Sequence, residues 1–362
     1  MMHGLEELLL EGVRAGAFPL CRAEVSYQGR HVFSGGNAPA HTRFDLASVT
    51  KVLATTTLVL DAGLERSRPI QAWLPTARVA ATLDDLLFHR SGLPAFEPFF
   101  APILEAHPRL TSEEALPELR AQARGELLER VLATSPVAAA GARAVYSDLG
   151  FILLGAALEV ALGLPLDELF QRRVARPLGL SCGYRRLSHP PPHPSALADT
   201  GATRPREPAP GQEGLWRLPA GPTVRGQVDD DNAFCLDGVS GHAGLFGTAL
   251  DVLHFGQAVL AGQACVPPGP WARDRTPGST RALGFDTPSA EGASCGPRFG
   301  RAGRRGAIGH LGFTGTSLWV DLDRQLVVAL LTNRVALGRG NQALQAFRPR
   351  FHDAVLDALG LG

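Results

Sequence analysis

The pattern of apolar and polar positions predicts β-strands near both ends of the chain. Apolar residues recur at helical spacing over residues 5–13, which indicates an amphipathic helix at the start. Residues 21–36 then form two alternating, strand-like runs around a Gln-Gly pair, the pattern of a β-hairpin. Residues 316–334 contain two more strand-like runs, around 322–325, so we predict a second hairpin near the other end.

The part of the chain between these hairpins is predicted to be mostly helical. Helix-type apolar patterns or buried apolar runs occupy residues 83–88, 125–133, 150–162 and 249–260. A last helix is expected from about Asn341 to Leu359. These elements predict an α/β (α+β) fold in which an antiparallel sheet, built from both chain ends, is flanked by helices and joined by an inserted, mostly helical domain.

We expect a single domain over residues 1–362 with two lobes. The sheet lobe would comprise about 1–60 and 265–362, and the helical lobe about 61–264. Two stretches, 188–226 and 267–306, are rich in Pro, Gly and Arg. We interpret both as long surface loops that line or cover a site.

Composition and charge exclude several classes of partner. Hydrophobic residues make up 45% of the chain and charged residues 19%, as in ordinary globular proteins. The formal net charge is zero and the pI is about 7.2. There is accordingly no electrostatic case for binding nucleic acid or an anionic membrane.

The sequence favours a cytoplasmic location. The start of the chain lacks a basic segment ahead of a long apolar core, so its helix is expected to belong to the mature fold. No segment is apolar over the roughly 18 residues that a membrane span needs. The five cysteines are odd in number, scattered and without CxxC spacing, which argues against a disulfide framework or a zinc site.

Lys51 is the only lysine, since all the other basic residues among the 35 Lys and Arg are arginines. Arginine stays protonated in proteins, whereas a desolvated lysine can lose its proton and act as a base. A lysine that must exchange protons could not be replaced by arginine. Chance survival of one lysine is the alternative.

Ser48 precedes Lys51 by three residues, in an S-x-x-K sequence ahead of an apolar run. If the motif opens a helix, the two side chains share a face, as a nucleophile and its base require. The unpaired N–H groups of a helix start would also favour loss of the lysine charge and help to hold an oxyanion. By itself this spacing is common and carries little weight.

Two more segments carry candidate chemistry. In the first, Tyr146 precedes Ser147, Asp148 and an apolar run, and its hydroxyl could relay a proton to a leaving group. In the second, residues 309–315 read G-H-L-G-F-T-G and lead into the penultimate strand, where an N–H could face an oxyanion. The alternatives are a core tyrosine with a bonded hydroxyl and a plain Gly-rich turn.

Taken together, S-x-x-K, a Y-x-N-like triplet and a late H-x-G resemble the serine β-lactamase and penicillin-binding-protein family. The chain is most similar to the branch of class C β-lactamases, D-alanyl-D-alanine peptidases and esterases. Residues 83–94 and 228–260 also resemble family segments, close to L-L-x-H-x-S-G-L-P and G-x-x-G-H-A-G-L-F-S-T. The similarity spans about 18–334.

The resemblance implies a serine hydrolase that cleaves an amide or ester of a small molecule or peptide. Ser48 would attack the acyl carbon, while Lys51 takes its proton with the assistance of Tyr146. The N–H groups of Ser48 and Phe313 would hold the oxyanion, and water would release the acyl group. No metal or organic cofactor is implied, and the oligomeric state stays open.

The motifs depart from those of β-lactamases at two positions. Asp148 stands where Asn is usual, and a carboxylate there would raise the pKa of Lys51. His310 replaces a lysine, which substitutes a group titrating near neutrality for a permanent charge. With Gly312, these residues complete the predicted substrate-binding set. The similarity extends to cytoplasmic members linked to cell-wall recycling, some of which cleave N-acetylmuramyl-L-alanine amides.

Two other interpretations remain open. A catalytically weak protein of the same fold could bind muropeptide-like ligands, an interpretation that rests on Asp148 and His310. A metal site could involve His242 and Asp229 to Asp231, although no ligand spacing supports it and a structural or capping role is favoured. His89 is expected to order its turn rather than to react.

Overall fold

The computed structural model describes residues 3–112, 115–189, 197–202, 223–263, 273–289, 293–303 and 305–361. The helices are α1 (His3–Arg14), α2 (Thr57–Asp61), α3 (Leu83–Leu87), α4 (Phe100–Ala106), α5 (Pro117–Leu132), α6 (Asp148–Leu162), α7 (Leu166–Phe170), α8 (Asp231–Cys235), α9 (Ala249–Ala261) and α10 (Ala343–Ala358). The strands are β1 (Cys21–Tyr27), β2 (Arg30–Gly35), β3 (Phe44–Asp45), β4 (Gly183–Tyr184), β5 (Asp199–Ala202), β6 (Thr223–Arg225), β7 (Leu245–Gly247), β8 (Arg281–Ala282), β9 (Phe285–Asp286), β10 (Ala307–Leu311), β11 (Ser317–Asp321) and β12 (Leu326–Thr332).

The main sheet joins the two ends of the chain, as the sequence predicts. Its seven strands lie in the order β2-β1-β12-β11-β10-β9-β8, and each neighbouring pair is antiparallel. Both predicted hairpins are confirmed, β1–β2 and β11–β12. Gln28 and Gly29 join β1 to β2 with φ angles of +49° and +75°, the left-handed conformation that two-residue hairpin turns require. β3, β7 and β4 form a second, smaller sheet.

The strand β12 shows how the sheet separates two hydrophobic cores. Val327, Ala329 and Leu331 face one cluster of buried residues, and Leu326, Val328 and Leu330 face another. This alternation follows from the two-residue period of side chains along a strand. The helix α9 and the helical middle pack on the first face, whereas α1 and α10 pack together on the second.

The helical middle agrees with the predicted segments. α3, α5, α6 and α9 overlap all four of the predicted helical ranges. The α+β class with a sheet built from both chain ends is therefore confirmed, while the limits of the two lobes stay a prediction. Among the described residues no single helix is long and apolar enough to cross a membrane; α6 together with Leu166–Ala175 passes that test only as a pair bent by 79°.

The two predicted long loops lie partly outside the described residues. Their described parts are not all irregular, because they contain the short strands β5 and β6 in one case and β8 and β9 in the other. Arg281 on β8 and Asp286 on β9 line the cleft that also contains Ser48. The prediction that the second stretch lines a site is thus confirmed for these residues.

Candidate active site

Ser48 and Lys51 lie next to each other at the start of a buried helical segment. Ser48 is in a short 3₁₀ turn, Ala47–Val49, and Lys51 begins a π-helical turn, Lys51–Thr56, that runs into α2. The Nζ atom of Lys51 donates a hydrogen bond to Oγ of Ser48 at 2.9 Å. The predicted pairing of the two side chains is therefore present, although it rests on 3₁₀ and π geometry rather than on one regular α-helix.

Lys51 is completely buried and has polar groups on several sides of its amine. Besides Ser48, Nζ lies 2.7 Å from Oδ1 of Asp148 and donates to the carbonyl oxygen of His242 at 3.1 Å. A charged ammonium has three N–H donors and no acceptor, so this environment matches the protonated form.

The pKa of Lys51 follows from opposing effects. Burial by itself lowers the pKa, but the charge of Asp148 and hydrogen bonding to Asp148 and Tyr146 raise it above the ordinary value. The expectation that the helix start favours a neutral Lys51 is therefore wrong for this arrangement. The expected effect of Asp148, which raises the lysine pKa, is confirmed.

The segment around His89 holds the second motif in place. The Nδ1 atom of His89 accepts the N–H of Ser147 at 3.0 Å, and its carbonyl accepts the N–H of Val145 at 2.7 Å. Oγ of Ser147 donates to the carbonyl of Pro94 at 2.7 Å. Burial, followed by the charges of Arg281 and Lys51, lowers the pKa of His89 well below its ordinary value. His89 thus orders its surroundings as a neutral ring, as the sequence suggested.

Tyr146 lies near two cations of the site, Lys51 and Arg281. Nζ of Lys51 and Cζ of Arg281 are each 5.0 Å from the centroid of its ring. The ring also packs against His89 at 4.6 Å and His310 at 6.0 Å between centroids. The structure therefore brings Tyr146 to the Ser48–Lys51 pair.

His310 lies within β10, and the residues after it lead into β11, the penultimate strand, as predicted. Its Nδ1 atom donates to the carbonyl of Leu311 at 2.8 Å, so the neutral ring presents the lone pair of Nε2, which has no hydrogen-bond partner among the described residues. Burial, then the charges of Arg281 and Lys51, lowers the pKa of His310 well below its ordinary value. The expectation of a group titrating near neutrality is wrong, because a buried site flanked by cations disfavours a second positive charge.

Gly312 allows the end of β10 to touch the turn that carries Ser48. A Cβ atom at this position would lie 2.6 Å from the carbonyl oxygen of Leu46 and 2.0 Å from Oγ1 of Thr316. Two threonines reinforce the contact, since Thr314 donates to the carbonyl of Asp45 at 2.7 Å and Thr316 to that of Leu46 at 2.9 Å. Phe313, the residue after Gly312, lines the cleft.

These residues line a cleft of about 460 Å³, within the range of small-molecule sites. The cleft contains every predicted site residue except the fully buried Lys51, which reaches it through Ser48. Its other lining residues are Ala47, Phe96, Asp229, Asp230, Asp231, Ala243, Arg281, Asp286, Leu311, Arg334, Arg339, Asn341, Leu344, Gln345 and Arg348.

Sequence analysis missed the arginines on one side of the cleft. Arg334 and Arg339 lie over the ring of Phe313, with Cζ at 4.5 and 5.6 Å from its centroid. Arg339 forms ion pairs with Asp229 and Asp231, both at 3.1 Å. In the described part of the chain, the hydrogen bonds of Arg334 and Arg348 go to carbonyl oxygens and not to carboxylates. In an arginine-rich chain, no sequence signal distinguishes these residues from surface arginines.

The positive charges of Arg334 and Arg348 are poorly compensated. Burial, and after it the charge of Arg334, lowers the pKa of Arg348 to about 9, which leaves it charged at neutral pH. Burial also lowers the pKa of Arg334, with Asp229 opposing and Arg339 adding to the effect. A bound anion would compensate the positive charges of both arginines.

The acidic residues of the cleft have structural partners. His242 lies 2.8 Å from Asp230 and 2.7 Å from Ser240, and Asp230 also caps α8 through the N–H of Ala233. The capping role expected from the sequence is confirmed for Asp230. Asp45, which sequence analysis passed over, is buried, and burial together with the charges of Asp229 and Asp230 raises its pKa to about 7 against the lowering effect of two backbone N–H groups.

The α+β fold and the hydrogen-bonded Ser48 and Lys51 are the features expected of serine hydrolases with an S-x-x-K sequence. Comparison with known proteins agrees. Residues 10–347 match the family model described as Beta-lactamase. The chain therefore belongs to the β-lactamase family and is a serine hydrolase of that family.

Individual relatives and structural neighbours include a carboxypeptidase, an amidase and a hydrolase by name. An N-acetylmuramyl-L-alanine amidase of Bacillus subtilis is 30% identical over 328 residues, which cover 81% of this chain and 68% of the relative. A putative D-alanyl-D-alanine carboxypeptidase of Escherichia coli K12 is 29% identical over 329 residues, 82% of this chain and 70% of the relative. Among solved structures, EstCE1, a hydrolase with promiscuous acyltransferase activity, superposes with a TM-score of 0.66 at 21% identity, covering 95% of this chain and 97% of the other.

Proposed function

We propose that this protein hydrolyses an amide or ester of a cell-wall-derived peptide or muropeptide through an acyl-enzyme on Ser48. The observation that carries the proposal is the chain of contacts from Ser48 to Lys51 and on to Asp148 and Tyr146 in one cleft. A nucleophile within hydrogen-bond reach of a proton acceptor is the arrangement that acyl transfer needs.

In the form of the protein in which Lys51 has lost a proton to solvent, Oγ of Ser48 attacks the acyl carbon and its proton passes to the Lys51–Tyr146 pair. The carbonyl oxygen becomes an oxyanion held by the N–H groups of Ser48 and Phe313. As the carbon–leaving-group bond breaks, Tyr146 returns a proton to the departing amine or alcohol. A water molecule then attacks the ester on Ser48, the same pair takes its proton, and the acid is released as Ser48 is protonated again.

The arginines of the cleft support a substrate that carries a carboxylate. Arg334 and Arg348 lie beside the Phe313 end of the cleft without a carboxylate partner in the described residues, so an anionic ligand would compensate their charge. D-Alanyl-D-alanine peptides and muramyl-L-alanine amides, named by the relatives, both contain such a group on the leaving side. His310, neutral and buried, would offer Nε2 as an acceptor to a donor group of the substrate, such as an amide N–H, and not to its carboxylate.

The rival function is a binding or sensor protein on the same fold. The raised pKa of Lys51 favours it, because a charged lysine is a weaker base. The close Ser48–Lys51 contact argues against it, since a binding site has no need of that pair. A cytoplasmic location stays a prediction, which fractionation of cells that express the protein would test.

A labelling experiment separates the enzyme from the sensor. Purified protein is treated with a fluorophosphonate and, separately, with labelled penicillin, and any adduct is located by mass spectrometry. We expect an adduct on Ser48 that disappears in Ser48→Ala and in Lys51→Arg, because arginine stays protonated and cannot act as the base.

The matched control is Ser26→Ala, which removes a buried serine on β1 outside this cleft and should leave labelling intact. Absence of any adduct on folded wild-type protein with both probes would support the sensor. Labelling by the fluorophosphonate alone would keep the hydrolase and remove β-lactams from its ligands.

A further inference from the structure

The carboxylate of Asp45 is bonded on both oxygens to the backbone around the nucleophile. Its Oδ1 accepts the N–H of Ala47, the residue before Ser48, at 2.8 Å. Its Oδ2 accepts the N–H of Asp229 at 2.6 Å, and Asp229 belongs to the wall of the cleft. One side chain therefore connects the turn that carries Ser48 to a separate segment of the site.

The turn itself is held in an unfavourable conformation. Ala47 has a φ of +46°, in the left-handed region that residues other than glycine seldom adopt. Such a conformation persists only where its surroundings over-determine it. Here the N–H of Ala47 is fixed by Asp45, and the neighbouring Leu46 is fixed by Leu245 through its N–H and by Thr316 through its carbonyl.

A purely space-filling role does not account for a carboxylate at this place. Asp45 is only 3% exposed, and its negative charge is disfavoured by burial and by the charges of Asp229 and Asp230. An amide would avoid that unfavourable charge but could accept only one of the two N–H groups, because its other end is a donor. The carboxylate is the side chain of this size that accepts both.

We propose that Asp45 is a positioning residue for acyl transfer, which holds the Ala47–Ser48 turn in its left-handed conformation and sets its place relative to the cleft wall. Asp45 does not touch the reacting atoms; it acts through Ala47 and Asp229. The inference rests on Ser48 being the nucleophile of the proposed function. Labelling of Ser48 in the wild-type protein therefore tests that function first and separately.

The test compares the rate of Ser48 phosphonylation by a fluorophosphonate, and kcat and KM for a p-nitrophenyl ester, in wild type and Asp45→Asn. We expect labelling and kcat to fall on the order of tenfold to a hundredfold while KM stays unchanged, since a displaced nucleophile slows the chemical step. Asp251→Asn is the matched control. Asp251 is also buried and accepts backbone N–H groups, from Thr248 and Ser181, but lies outside the cleft. The Asp251→Asn variant should have a lower thermal stability than the wild type but the same labelling rate.

A double-mutant cycle with Ala47→Gly distinguishes positioning from general stability. Glycine adopts positive φ readily, so Asp45→Asn should reduce the rate less in the Ala47→Gly background than in the wild-type background. If Asp45→Asn does not fold, Thr314→Val removes only the hydroxyl that binds the carbonyl of Asp45 and should slow labelling in the same direction. A wild-type labelling rate in the Asp45 or Thr314 variant, or the same reduction with and without Ala47→Gly, would overturn the proposal.

Discussion

At the scale of single residues, the main departure from a β-lactamase site is the carboxylate of Asp148 beside the buried Lys51. The two groups are 2.7 Å apart, and the pair keeps the lysine charged in the resting protein. A lysine that takes the proton of Ser48 must first lose its own, so activity should rise with pH as Lys51 deprotonates.

Replacing Asp148 by Asn should shift that rise to lower pH. The substitution removes the negative charge that favours the ammonium, and an adjacent opposite charge typically changes a pKa by about 1 to 3 units. Because the pKa of Lys51 is raised by Asp148, its loss lowers the pKa and frees the base nearer neutrality. The measurement is kcat/KM for an ester across pH in wild type and Asp148→Asn.

The control is Asp286→Asn, which neutralises another carboxylate of the cleft that pairs with Arg281 instead of Lys51. In Asp286→Asn, the pH range over which kcat/KM rises should stay the same as in the wild type. If kcat/KM of Asp148→Asn rises over the same pH range as in the wild type, Lys51 is not the group whose ionisation limits the reaction.

At the scale of elements, the site depends on how closely the β10–β11 connection approaches the nucleophile turn. Thr314 and Thr316 each bind a backbone carbonyl in the two residues that precede Ala47, and Gly312 leaves room for this contact. The sequence indicated a Gly-rich approach to a strand. It did not indicate which backbone the glycine would meet, because that partner lies more than 200 residues away in the chain.

Gly312→Ala should separate the two elements. Its Cβ would lie 2.6 Å from the carbonyl oxygen of Leu46, so β10 or the Ser48 turn must move. We expect kcat to fall by about two orders of magnitude, as expected for a displacement of roughly 1 Å between reacting groups. Steady-state kinetics with an ester and thermal unfolding of the same variant measure the two effects.

Gly125→Ala is the comparison, since a Cβ there meets open space on α5. It should leave kcat unchanged and stabilise the helix by roughly 0.5–1 kcal/mol. Full activity of Gly312→Ala would show that the close approach is not required for catalysis.

At the scale of the whole molecule, the cleft assembles residues from distant parts of the chain. Ser48 comes from the start, Tyr146 and Asp230 from the helical middle, and His310 and Arg334 from the last strands and the segment after them. The antiparallel sheet makes this convergence possible, because pairing of β1 with β12 places both chain ends in one layer.

The arginine side of the cleft predicts selectivity for substrates with a carboxylate. Arg334→Gln should raise KM for a peptide with a free carboxylate by about one to two orders of magnitude, the range of a lost charged hydrogen bond of roughly 1.5–3 kcal/mol. The methyl ester of the same carboxylate is the matched substrate, and its KM should not change. Equal changes for both substrates would indicate a general disturbance of the cleft through Phe313 instead of recognition of an anion.

The sequence by itself determined the α+β class, both hairpins, the helical middle and the Ser48, Lys51, Tyr146 and His310 motifs. These features are local: side-chain periodicity selects strand or helix, and the residues within each motif lie a few positions apart. The single lysine could be recognised as special from composition alone, since arginine cannot give up its proton.

Only the tertiary structure decided the charge state of Lys51, the neutrality of His310, and the surroundings of Asp45, Arg334 and Arg348. Each depends on burial and on charges contributed by segments far apart in sequence. Desolvation and Coulomb interactions act through space, so no local pattern encodes their sum. The same reason explains why the sequence did not indicate a role for Asp45, although it is only three residues from Ser48. The N–H of Asp229, which binds its second oxygen, comes from a distant segment of the chain.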